Sequence, residues 1–100
     1  EESRPFAVVK PFLKFHIQGR GHPEKAYVAI VDCQTGGEWM KFNGDATGQF
    51  QPCVIPMDKV NGKKFFFRVV NKDDTGQFSA KLSDVSLSDN NEMSPKPGTP

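Results

Sequence analysis

Five side chains of this chain have the chemistry of ligand recognition: Trp39, Arg20, His22, Asn43 and Arg68. An indole on the exposed face of a strand can stack on a sugar ring while its N–H reaches a hydroxyl. The polar residues lie in loops or on a strand face, where a rigid scaffold commonly presents binding groups. The alternatives are an indole buried in the core, loops that are merely hydrophilic, and a strand arginine that discourages edge aggregation. The pattern predicts a binding surface for a polar ligand.

Two adjacent carboxylates, Asp73 and Asp74, are the candidate metal ligands, and calcium is the candidate cofactor. Turns rich in carboxylates and carbonyls suit this hard cation, and Asp32 or Asp84 can add a further oxygen. The alternative is a solvated turn in which the aspartates support the chain reversal. A zinc site is not expected, because the chain has two histidines and no Cys-x-x-Cys pair.

The two cysteines, Cys33 and Cys53, lie 20 positions apart on different expected strands. A disulfide between them would stabilise the fold by about 3 kcal/mol in the chain-entropy model, provided that the strands are neighbours. The alternative is a pair of thiols that fill space in the core as small apolar groups. Either state fits a chain of this length.

No catalytic motif is present in the sequence. The chain has no Gly-x-Ser-x-Gly elbow, phosphate-binding loop or His-Glu-x-x-His helix. A glycosidase pair formed by Asp73 and Asp74 is not expected either, because adjacent residues on a strand point to opposite faces. We therefore expect a protein that is not an enzyme.

Charge and hydropathy exclude further classes of function. The formal net charge is +1, with 13 basic and 12 acidic residues alternating along the chain. A nucleic-acid surface needs a basic excess on one face, so no nucleic-acid partner is expected. No segment approaches the roughly 20 apolar residues of a membrane span. One hundred residues suit a single domain, which we divide into an N-terminal arm (1–5), a β-sandwich (6–88) and a Pro-rich linker or tail (89–100).

Aromatic and β-branched residues in short alternating runs predict an all-β protein. About seven strands separated by turn residues indicate an antiparallel sandwich or jelly roll. Pro52 and Pro56 predict that one strand lies at a sheet edge, and a change of phase after Leu82 predicts a bulge in the last strand. The strands are expected at 6–9, 12–18, 26–33, 38–42, 49–55, 63–71 and 77–87, with one helical turn at 57–62.

Several of these runs resemble galactose-binding-like jelly-roll modules found beside glycoside hydrolases, notably fructan-cleaving ones. Residues 12–23 (FLKFHIQGRGHP), 26–32 (AYVAIVD) and 35–36 (TG) resemble the central strands of that family. Residues 58–71 (DKVNGKKFFFRVVN) resemble its turn before a Gly-Lys strand, and residues 81–87 (KLSDVSL) are similar to its closing Val-Asp-Asp-Ile strand. The resemblance covers residues 6–88 and implies a jelly roll that binds carbohydrate as an accessory domain.

The chain also departs from that family. Residues 75–80 (TGQFSA) replace the usual Gly-Gly-Trp-Gly-His-Ile, so the roles of that Trp and His do not carry over. The family's opening strands would lie upstream of Glu1, which implies a module without its first strands and with unpaired edges. Such edges invite strand addition by a partner.

We therefore expect a non-catalytic module that recognises a carbohydrate or glycan. The Pro-rich tail favours attachment to a larger extracellular or secreted protein. The alternative is a protein interaction or assembly domain that pairs through an exposed edge strand or an apolar sheet face.

Overall fold

The computed structural model describes residues 1–20, 24–44, 48–72 and 79–92, and only the backbone of Arg20. Its strands are β1 (Phe6–Ala7), β2 (Phe12–Arg20), β3 (Ala26–Asp32), β4 (Glu38–Phe42), β5 (Gln51–Pro56), β6 (Lys64–Asn71) and β7 (Ser79–Ser88), and one 3₁₀ turn covers Asp58–Val60. One sheet has the order β1-β6-β3-β4 and the other the order β5-β2-β7. All strand pairs are antiparallel. The expected all-β sandwich is confirmed.

The core lies between the two sheets and is supplied by alternate residues of the strands. In β2, Leu13, Phe15 and Ile17 are buried, as the period-2 pattern predicts. Phe15 meets Phe67 edge-to-face at 5.1 Å between ring centroids and Phe42 at 5.4 Å. Aromatic pairs favour this geometry, because the positive ring edge meets the negative ring face.

Strand β3 lies between β6 and β4 and is buried along all seven residues. Its inner face packs into the core through Val28 and Ile30. Its outer face contributes Tyr27, Ala29 and Val31 to a second apolar cluster. Apolar residues on both faces are typical of a strand that lies inside a sheet, as β3 does.

The two irregularities expected in the second sheet are present. β5, with its two prolines, is an edge strand. In the β2–β7 pairing, Lys14 opposes Ser86 and His16 opposes Ser83, so a bulge separates the two registers. The bulge contains Asp84, whose φ is 57°, and places its carboxylate 3.6 Å from Nδ1 of the buried His16.

Some boundaries differ from the sequence-based expectation. β1 has two residues instead of four, and β5 begins at Gln51 instead of residue 49. The start of the last strand, at residues 77–78, lies outside the described residues. Residues 89–92 contain no strand. In the described part of the chain, no helix has the length and apolarity that a bilayer crossing requires.

The N-terminal arm is not the loose segment that its composition predicts. The Val69 N–H donates to the Glu1 carbonyl at 2.8 Å, and the Ser3 N–H donates to the Phe67 carbonyl at 2.9 Å. The Phe67 N–H in turn donates to the Ser3 hydroxyl at 2.9 Å. The arm therefore extends the sheet along β6. Its hydrogen bonds satisfy backbone groups of β6 that an open edge would leave unpaired.

Candidate functional site

An open groove runs between the arm and β1 on one side and β7 on the other; we call it the edge groove. It consists of two cavities of about 440 and 390 Å³ that share Ser3 and Phe67 in their linings. Both volumes fall in the usual range for small-molecule sites. The first cavity also has Glu1, Glu2, Phe50, Val69, Asn71, Ala80, Lys81, Leu82 and Ser83 in its lining, and the second has Arg4, Pro5, Phe6, Leu13, Val85, Ser86 and Leu87.

The arm side of the groove is fixed by Arg68 and Ser3. Nε of Arg68 lies 2.8 Å from Oε2 of Glu2, and Glu2 and Arg68 also form an isolated β-bridge. The Glu2 carboxylate raises the pKa of the Arg68 guanidinium above its ordinary value, and Glu38 adds to this effect. Arg68, expected to contact a ligand, therefore contacts the strip of chain that forms one side of the groove.

The β7 side is joined to the opposite sheet by Asn71. The Ala80 N–H donates to Oδ1 of Asn71 at 2.8 Å, and Nδ2 of Asn71 donates back to the Ala80 carbonyl at 3.4 Å. The amide thus takes the place of a neighbouring strand at the edge of β7. Such capping protects an edge that otherwise pairs with other chains.

Replacing Asn71 with alanine should destabilise the domain by about 1–3 kcal/mol. The backbone N–H and carbonyl of the buried Ala80 would both lose their hydrogen bonds to the Asn71 amide. Hydrogen exchange at the Ala80 amide should accelerate, while exchange at the Ala29 amide inside the other sheet serves as the internal reference. Asn90→Ala is the control: it removes bonds from Lys14 and from the Glu92 N–H that are exposed to water, so it should change stability less. Unchanged exchange at Ala80 would contradict the assigned role of Asn71.

Arg68 also belongs to a polar network on the outer face of the four-stranded sheet. Oε2 of Glu38 lies 3.5 Å from Nη1 of Arg68 and accepts a hydrogen bond from the Tyr27 hydroxyl at 3.2 Å. Nζ of Lys41 lies 4.4 Å from the centroid of the Tyr27 ring. This ring is already covered by a cation and is only 7% exposed, so this face offers no free tyrosine for a sugar to stack on.

Trp39 lies on β4, at the opposite edge of its sheet from β1. Its ring centroid is 5.0 Å from that of the buried Phe65, and the two ring planes are inclined by 30°. The residue is nevertheless 38% exposed. The indole therefore combines a structural contact with an accessible surface, and it does not line the edge groove.

The loop candidates lie at one end of the sandwich. A Cβ placed on Gly19 would lie 2.2 Å from the backbone nitrogen of Gly44, so the two backbones touch. Arg20 follows Gly19 and Asn43 precedes Gly44, so the contact between the glycines brings the backbones of these two residues together. His22 lies outside the described residues. Trp39 packs on the core residue Phe65, whereas Arg68 belongs to the network on the outer face, so these two candidates lie on opposite faces of the four-stranded sheet.

The proposed calcium ligands Asp73 and Asp74 lie outside the described residues. Among the residues that are described, no group of three or more His, Cys, Asp or Glu side chains is placed to hold a metal ion.

Of the two states that the sequence left open for Cys33 and Cys53, the disulfide is not formed and both thiols are free. Cys33 is exposed directly after β3, whereas Cys53 lies on β5 in the other sheet and is half-buried. The two residues do not lie on neighbouring strands, which was the condition for the disulfide. Burial raises the pKa of the Cys53 thiol.

The turn after β3 has a well-defined ion pair. Nζ of Lys63 lies 2.8 Å from Oδ2 of Asp32, and the Gln34 N–H donates to Oδ1 of Asp32 at 2.8 Å. The hydrogen bond from Lys63 contributes most to lowering the pKa of Asp32, the bond from Gln34 adds to it, and partial burial opposes it.

This lowered pKa means that folding favours the Asp32 carboxylate, so the pair should stabilise the domain fully above the ordinary value near 3.8. The contribution should fade as the pH falls below that value. We expect Asp32→Asn to be less stable than the parent near neutral pH, with the difference shrinking in acid; urea denaturation across the pH range measures it. Lys63→Gln should remove the same acid-sensitive component. A difference independent of pH would contradict this account.

Sequence reasoning missed Glu2, Asn71 and the residues of β7 that form the groove. The one available signal for the groove was the expectation of unpaired sheet edges.

Comparison of the chain with protein-family models, with curated proteins and with solved structures finds no match.

Proposed function

We propose that this domain is a non-catalytic module that binds carbohydrate in the edge groove. The observation that carries the proposal is the mixed lining of the first cavity, which has a volume of about 440 Å³. The half-buried Phe50 and Leu82 line it together with the polar Glu1 and Ser83. A sugar ring has apolar C–H faces and a rim of hydroxyls, so it needs both kinds of contact.

Glu1 carries the charged group on the groove side of the arm. The Glu1 amine donates to the Val69 carbonyl at 3.0 Å and the Val69 N–H donates to the Glu1 carbonyl at 2.8 Å, so the two residues are direct partners and their side chains lie on the same face of the sheet. Both residues line the first cavity. A carboxylate forms a stronger hydrogen bond with a sugar hydroxyl than a neutral acceptor does.

A glycan array, followed by calorimetry on the best ligand, tests the proposal. Glu1→Gln should weaken binding about tenfold, because the ligand loses a bond to a charged group. Glu2→Gln is the matched control, because the Glu2 carboxylate bonds Arg68 on the outer face of the sheet. Equal losses in both variants would show that the effect does not come from the groove side of the arm. An array with no bound glycan would overturn the proposal.

Trp39→Ala separates the groove from the indole as the site of binding. We expect a loss of about 1–2 kcal/mol of stability, because the contact with Phe65 and part of a large buried surface disappear. Glycan affinity should stay unchanged, measured by calorimetry on a sample whose folding is verified by circular dichroism. Binding lost with folding intact would move the proposed site to Trp39.

Interaction with another protein is the second candidate function. Val85 favours this function, because its side chain is 44% exposed and lies in the apolar part of the groove. The protection of the edges weighs against strand addition. Asn71 already bonds Ala80 on β7, and β5 has prolines that cannot donate to a new ladder. Sedimentation of the domain with candidate partner proteins distinguishes this function from glycan binding.

The setting that we propose is a larger extracellular or secreted protein, to which the domain is an accessory. The support is compositional: residues 93–100 (MSPKPGTP) contain three prolines and no alternating apolar pattern. Pro-rich composition of this kind is typical of linkers between domains.

A further inference from the structure

The edge groove changes character along its length. The first cavity, of about 440 Å³, has the polar residues Glu1, Ser3, Lys81 and Ser83 in its lining. The second, of about 390 Å³, is lined mainly by apolar residues, among them Phe6, Val85 and Leu87. One end of the groove therefore suits hydroxyls and the other suits hydrocarbon.

The two cavities belong to one continuous groove, since Ser3 and Phe67 line both. Of these two residues, Ser3 is exposed, whereas Phe67 is only 1% exposed. A single ligand that occupies both cavities must therefore pass over Ser3.

From this continuity we propose that the ligand is a glycan with an apolar substituent, such as an alkyl, acyl or aryl aglycone. The inference rests on the proposed function, since it requires the sugar to occupy the first cavity. The apolar substituent then occupies the second cavity and removes Val85 and its neighbours from water. Burial of hydrocarbon adds affinity in proportion to the area covered.

The sequence around the second cavity supports this occupant. Val85 lies in the part of β7 next to the bulge, and it is 44% exposed although it is a large apolar residue. The bulge at Asp84 interrupts the regular ladder here, so a regular added strand fits this part of the edge poorly. A flexible hydrocarbon chain needs no backbone ladder and can follow the apolar lining.

Calorimetry tests the inference. The ligands are the methyl and n-octyl glycosides of glucose, galactose, mannose and fructose, each used below the concentration at which it forms micelles. For the sugar that binds, the octyl form should bind at least tenfold more tightly than the methyl form. Val85→Asp should remove this gain and leave the affinity for the methyl glycoside unchanged. Val9→Asp is the matched control, because Val9 is 69% exposed and lies outside the groove lining.

The outcomes separate the two proposals. Equal binding of methyl and octyl glycosides overturns the apolar substituent and leaves carbohydrate binding intact. If the octyl form still binds more tightly than the methyl form in Val85→Asp, the octyl group lies outside the second cavity, and the inference is overturned as well. If no glycoside binds, or if octyl triethylene glycol binds as tightly as the octyl glycosides, the proposed function itself fails.

Discussion

Replacing Phe67 with alanine is expected to destabilise the domain by about 3–5 kcal/mol, the usual cost of removing a buried aromatic side chain. The residue is 1% exposed and contacts Phe6 and Phe15, so the change leaves a cavity between the two sheets. Because small domains have about 5–15 kcal/mol of stability in total, the variant should be close to unfolding. Urea denaturation followed by fluorescence measures the loss.

Phe66→Ala is the matched control for this prediction. Phe66 is the next residue of β6, it packs against the outer cluster, and it is only half-buried. Its replacement should cost clearly less, because part of its surface is in water in the folded state. Equal losses for the two phenylalanines would mean that the core does not lie between the sheets as described.

Replacing Gly19 with alanine is expected to destabilise the domain by about 3 kcal/mol, the upper end for inserting a methyl group into closely packed atoms. The new Cβ would lie 2.2 Å from the Gly44 nitrogen and 2.9 Å from its Cα. Both are backbone atoms, so no side-chain rotation relieves the clash. Either β2 or the chain at 43–44 must move. The midpoint of thermal or urea unfolding reports the effect.

Gly36→Ala provides a comparison with a different physical cause. Gly36 has φ of 74° and open space around its Cβ position, so the cost there is backbone strain of about 1–2 kcal/mol. The Gly19 variant should therefore be the less stable of the two. A Gly19→Ala protein as stable as the parent would show that β2 and the 43–44 segment do not approach this closely.

The regular strands could be predicted because their side chains report their surroundings directly. Leu13, Phe15 and Ile17 alternate with polar residues, and Pro52 cannot occupy the centre of a sheet. The arm could not be predicted in this way. Its pairing with β6 depends on the Ser3 hydroxyl and on the ion pair between Glu2 and Arg68, contacts between residues more than 60 positions apart. No local period encodes such contacts.

The groove was missed for a related reason. Its sides come from the arm, β6 and β7, and the sequence places the arm far from the two strands. Exposed loop groups such as Asn43 and a single tryptophan are visible in a sequence, whereas a space between two sheet edges is visible only once the strand order is known. Asn71, the last residue of β6, is likewise an ordinary polar residue in the sequence, and only the structure shows its contact with Ala80.

The unequal environments of the two thiols give the domain a ready attachment point for a reporter group. Cys33 is exposed, whereas burial and a raised pKa disfavour the reactive thiolate of Cys53. A maleimide dye added in limited amount near neutral pH should therefore attach at Cys33, outside the lining of the edge groove. Ligand titrations can then be followed by dye fluorescence on the natural sequence, without an engineered labelling position.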